Sequence, residues 1–191
     1  MRPVMKPLLA ALIVWCVAAP ARANDLATGF LDARWGSAAA EQKGLSQVGS
    51  LGRISFYIHP GRVYSIYGTE VPVVIYGYFD DQLFAVYVHM EGIDTFSQIR
   101  SYVQSKYGTP RITRESRGDL TTHSWKAGET RIKLKHYQTS GKLKISFYYL
   151  PLSGRANLEM EMQGEEPPEP VFPLNARRQR EAIQHMEFLS F

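Results

Sequence analysis

The 191-residue sequence holds one cysteine, Cys16, and it lies inside an N-terminal apolar stretch. Residues 24–191 therefore have no thiol. That excludes a disulfide framework, a thiolate nucleophile and a cysteine-ligated metal from them. Long hydrophobic runs are lacking too. Leu8–Ala19 is uncharged and mostly apolar, but its 12 residues fall short of the roughly 20 that a bilayer-crossing helix needs. Histidine is scarce. No two of His59, His89, His123, His136 and His185 have the spacing of a zinc pair on a helix, and none lies in an H-E-x-x-H pattern. No serine sits in G-x-S-x-G, and there is no G-x-x-x-x-G-K-[ST] phosphate loop. The expectation is a protein without a metal or another cofactor, and not an enzyme.

What is present at the N-terminus reads as an export signal. Arg2 and Lys6 precede the apolar run, and Ala21-Arg22-Ala23 supplies small residues where a signal peptidase reads them. Residues 1–23 are expected to be a signal peptide cleaved after Ala23, giving a periplasmic or secreted protein. Residues 24–191 then carry 19 basic and 18 acidic side chains. So even a balance argues against nucleic acid as a partner, and loss of the leader argues against stable membrane insertion.

Residues 24–150 are rich in Tyr, Phe, Val and Ile and are expected to form one globular domain. Glu159–Pro170 holds five Glu and three Pro with no basic residue. Residues 151–170 accordingly read as an acidic, Pro-rich linker. Residues 171–191 read as a tail with a marginal helix starting at Asn175.

Within the domain, Arg53–Ile58, Val63–Tyr67, Val71–Phe79 and Leu83–Met90 have strand character. The last two are apolar on both faces, as in central strands. A helix follows, with Thr95 and Gln98 as a capping box and Phe96, Ile99, Val103 and Tyr107 on one stripe; Gly108 and Pro110 end it. A shorter helix is expected over Ala38–Lys43, capped by Ser37. Ile112–Ser116, Leu120–Trp125, Thr130–Tyr137 and Lys142–Leu150 are four further strands joined by tight turns. The expected class is α+β: antiparallel meander sheets with one short and one longer helix, arranged as a doubled α-β-β-β-β unit.

Gly29-Phe30, Arg34-Trp35-Gly36-Ser37, the Tyr76–Phe79 strand and the Tyr107-Gly108-Thr109-Pro110 helix exit resemble a loose group of small secreted bacterial proteins. The element order, a helix before an antiparallel meander, is similar to β-lactamase-inhibitor-like domains and outer-membrane-assembly lipoprotein domains. The resemblance spans roughly residues 29–149 and implies binding of another protein, not catalysis. No site residue carries over. The lipid-anchor cysteine of the assembly lipoproteins has no counterpart here.

Charge placement supplies the candidate site. Lys126, Arg131, Lys133, Lys135, Lys142 and Lys144 fall on the polar phase of consecutive strands, with Glu129 the acidic residue near them in sequence. If those strands pair, the cations share one face. Lysine on a solvated sheet face is also a common guard against edge pairing. The functional expectation is a docking face for an envelope protein or another anionic envelope component. The acidic stretch Glu159–Glu169 is a candidate competitor for it. Two alternatives remain open. One is a small apolar-ligand carrier with a cleft between helix and sheet, lined by Tyr57, Tyr64, Tyr76, Tyr78 and Tyr87. The other is a hydrolase built on Asp80, Asp81 and a histidine. For that carboxylate pair, a hairpin turn is the simpler explanation.

Overall fold

Alternating strands at the flanks and continuously apolar strands at the centre, joined mostly by short turns, build an eight-stranded antiparallel sheet. The computed structural model describes residues 26–163, apart from positions 67, 72, 116 and 117. The first described elements are a small hairpin, β1 (Gly29–Phe30) and β2 (Ala33–Arg34), and a single 3-10 turn at Ala39–Glu41. A first meander follows: β3 (Ser46–Leu51), β4 (Ile54–Ile58), β7 (Val74–Phe79) and β8 (Gln82–Glu91). Between β4 and β7, the strands β5 (Tyr64–Ile66) and β6 (Thr69–Val71) form a separate hairpin. Helix α1 (Ile93–Tyr107) leads to the second meander: β9 (Arg111–Arg114), β10 (Leu120–Ala127), β11 (Thr130–Tyr137) and β12 (Lys142–Tyr149). Helix α2 (Leu150–Gln163) closes the described chain.

The strand order is β3-β4-β7-β8-β12-β11-β10-β9. Each meander runs inward from its own edge, and the two meet along their last strands, β8 and β12. This is the expected α+β class with an antiparallel sheet; each half contributes four strands to that sheet, but the first half holds six strands in all and opens with a 3-10 turn in place of a helix. The two inner strands of the first meander are the most deeply buried. All of β7 is buried, as is β8 between its first and last residues.

One sheet face is covered from β7 across to β10. Phe96, Ile99 and Val103 of α1, Tyr64 and Ile66 of β5, and Leu26 and Phe30 of the N-terminal segment pack on Val86, Val88, Leu134, Ile145 and Phe147. On the other face the described chain covers the first meander and the adjoining Tyr148 of β12. There α2 lays Leu152, Ala156 and Met160 on Ile54, Phe56, Phe79, Phe84 and Tyr87. A register shift between Gly77 and Tyr78 puts an extra residue, Phe84, on this second face. Gly77 opposite has no side chain, and a Cβ there would lie 3.1 Å from the Phe84 ring and 3.3 Å from Tyr87.

Five local expectations are corrected. Residues 151–163 are not linker. They continue directly from β12 as α2, with Pro151 in the first turn, where no intrahelical donor is needed. The tail expected over residues 171–191 lies outside the described residues. The short helix over Ala38–Lys43 is only the 3-10 turn, because Gly36 donates to the Leu83 carbonyl and Leu83 to the Ser37 carbonyl, tying the segment to β8; the Ser37 hydroxyl turns back to Arg34 at 2.8 Å. Helix α1 starts at Ile93 after Gly92, so Thr95 lies inside it and does not cap it. Val71–Phe79 is two strands in different sheets, and β3, at the edge of the main sheet, has no counterpart among the sequence-predicted strands.

Candidate functional site

The uncovered half of the second face is where the predicted basic residues meet. In β11, Ile132 and Leu134 are buried while Arg131, Lys133 and Lys135 point the other way. In β12, Leu143, Ile145 and Phe147 are buried in the same core, leaving Lys142, Lys144, Ser146 and Tyr148 on the opposite side. In β10, Trp125 and Ala127 face that core, which places Thr122, Ser124 and Lys126 beside the lysines.

Register orders them into rows. Lys126 is opposite Arg131, and Arg131 is opposite Tyr148. In the next row Arg111, Ser124, Lys133, Ser146 and Tyr87 run across β9, β10, β11, β12 and β8. Then come Thr113, Thr122, Lys135, Lys144 and His89. Lys142 lies one step further, opposite Glu91. All six predicted cations share the face. Arg111 joins them, unanticipated, because pairing of β9 with β10 puts it opposite Ser124. Glu91 is the second revision: register sets this acid of β8 directly opposite Lys142.

Like charges are held close. Lys135 and Lys144 are direct cross-strand partners, a pairing with a cost of a few tenths of a kcal/mol. The Lys133 ammonium is held below the usual lysine range, first by burial and then by Lys135 and Arg131. Two tyrosines temper this crowding. The Lys133 Nζ lies 5.2 Å from the Tyr148 ring centroid, and the Lys144 Nζ 5.0 Å from that of Tyr87. The two rings meet edge-on at 5.8 Å. Burial pushes both phenols up, so they stay protonated and neutral near pH 7.

The other candidates separate. Asp80 and Asp81 are the two central residues of the β7–β8 hairpin, both with positive φ, as a tight two-residue turn demands. The Asp80 carboxylate pairs with Arg53, and Asp81 accepts from the Ala39 amide at 3.1 Å. His89 is seven residues beyond Gln82 on β8, roughly 23 Å away along a strand. The carboxylate pair and His89 are thus not brought together. Of the tyrosines expected to line one cleft, Tyr64, Tyr76 and Tyr78 are core residues on the α1 side, and Tyr76 donates to Tyr64 at 3.2 Å. Tyr57 packs edge-on against Tyr78 there, whereas Tyr87 belongs to the opposite face.

The acidic competitor is also relocated. Glu159 in α2 accepts from the Arg53 backbone N–H at 3.3 Å, in the β3–β4 turn and several strands from Lys133. Residues 164–169 lie outside the described residues.

A second ionisable cluster was not anticipated. His123 of β10 and His136 of β11 both face Phe96 of α1, with ring centroids at 5.5 and 4.5 Å. The buried His123 Nδ1 has no hydrogen-bond partner among the described residues. Burial lowers both imidazoles; Arg100, His136 and Arg114 lower His123 further, and Asp119 partly offsets the effect at His136.

Among the described residues, no three His, Cys, Asp or Glu side chains gather as a metal site, and no helix is long and apolar enough to cross a membrane. Comparison with family models, curated proteins and solved structures finds no match for this chain.

Proposed function

We propose that this chain is a non-enzymatic interaction module of the periplasm or the secreted space. Its basic sheet face docks on an anionic envelope component, an acidic protein surface among them. One observation carries the reading: seven cations, four of them in two direct cross-strand pairs, Lys126–Arg131 and Lys135–Lys144, share the part of the sheet that no described helix covers. A sheet face needs polar side chains to meet water, but not charges of one sign at a mutual cost. Threonine and serine serve that purpose at positions 122 and 124 of the same face. The leader-like N-terminus supports export. The similarity in element order to the inhibitor-like and assembly-lipoprotein domains is consistent with a partner-binding role.

The test compares two charge-equivalent double variants of the full chain. Lys133→Glu with Lys135→Glu reverses the face, and Lys43→Glu with Lys106→Glu reverses exposed cations elsewhere. Binding to poly-glutamate and to anionic polysaccharide at low salt is expected to fall roughly tenfold or more in the first variant and little in the second. Equal losses would mean that net charge, not this face, governs the interaction.

A further inference from the structure

On the reading that this face binds an anionic partner, the spacing of its charges narrows the kind of partner. Arg131, Lys133 and Lys135 occupy alternate positions of β11, so their Cβ atoms recur at roughly 6.7 Å. Lys144 stands beside Lys135 on the next strand, and Lys142 continues the line to the end of β12. The result is a stripe about 20 Å long, not a pocket. A column of half-buried hydroxyls, Ser124 and Thr122 on β10, flanks it on one side. The exposed large apolar side chains, Val63, Ile93, Tyr102, Ile112, Leu158 and Met162, all lie outside it.

We infer that the stripe takes an extended acidic peptide with a carboxylate at every second residue, laid over β11 as a second layer. An extended chain shows alternate side chains on one side at the same interval as the cations beneath, so each carboxylate meets its own cation. Stacked extended layers lie about 10 Å apart, a gap that long lysine side chains span. The β10 hydroxyls lie where main-chain polar atoms would pass. An amphipathic helix or a bilayer wedge is held by apolar anchors, and the stripe offers none. Lys133 and Lys144 rest on tyrosine rings, which restrains their ammoniums before the ligand arrives and reduces what binding must order.

The experiment measures binding of the full chain, by fluorescence anisotropy at low salt, to two isomeric peptides of about ten residues. One alternates Glu and Ser; the other carries the same residues as a Glu block and a Ser block. An acidic polysaccharide and anionic phospholipid vesicles complete the set. The alternating peptide is expected to bind roughly fivefold or more tightly than its isomer. Lys133→Gln with Lys135→Gln, judged for folding by its unfolding midpoint, is expected to remove that preference. Equal binding of the isomers, or binding confined to polysaccharide or vesicles, would overturn the peptide inference and leave the anionic reading standing. Binding to none of the four would remove both.

Discussion

At the scale of single residues, the molecule combines neutral aromatic packing with a few strained electrostatic positions. His123 and His136 are the clearest. Each is held below the usual histidine range where it packs against Phe96. A depressed folded-state value means that the unfolded chain takes up protons first as pH falls. Stability is therefore full above the unfolded value near 6.5 and is lost progressively below it. The denaturation midpoint is expected to drop between pH 7.5 and pH 5, and to drop less in His123→Phe with His136→Phe. An unchanged slope in that variant would place the acid sensitivity elsewhere. Gly77 offers a second test. Its alanine variant presses on the Phe84 and Tyr87 rings and is expected to cost about 1–3 kcal/mol by denaturant titration. The lysines were legible in the sequence because a period of two separates the faces of β11 and β12 without knowledge of any partner. Arg111 and Glu91 were not, because their place depends on which strands are neighbours, and β8 pairs with β12 across a long stretch of chain.

At the scale of elements, legibility followed the strength of the local signal. β7, β8, β11, β12 and the body of α1 show either continuous apolar runs or clean alternation. β3 shows neither. Its Ser-Gln-Val-Gly-Ser-Leu is polar, edge-placed and interrupted by a register shift at Gln47/Gly49. Helix α2 was hidden by its neighbours, since the Glu and Pro content of the following segment dominates any window across residue 160. What makes it an element is contact. Ala156 is fully buried, Leu152 and Met160 pack beside it, and Arg155 lies 5.1 Å from the Phe79 ring centroid. Ala156→Asp, which buries an unpaired carboxylate, is expected to destabilise by about 3 kcal/mol. Leu158→Asp, at a position 61% exposed, should change stability by less than about 0.5 kcal/mol. Similar effects at both positions would mean that α2 does not pack on the sheet in solution. Removal of residues 151–191 is consequently a poor probe of the tail, since it strips this cover from Phe56 and Phe84.

At the scale of the whole molecule, two meanders share a central seam. One face of their joint sheet is packed, from β7 to β10, by α1, the β5–β6 hairpin and the N-terminal segment. The other is divided between α2 and a field of positive charge. That division is the basis of the functional reading. A polar surface that serves only solubility should gain from losing its repulsion, and nothing else should follow. The most direct measurement takes Lys133→Gln, Lys135→Gln and Lys144→Gln together and reads both stability and binding to an acidic polymer. The account predicts an unfolding midpoint equal to or above that of the parent chain and binding weakened roughly tenfold or more. A less stable variant that binds as well as the parent would contradict it.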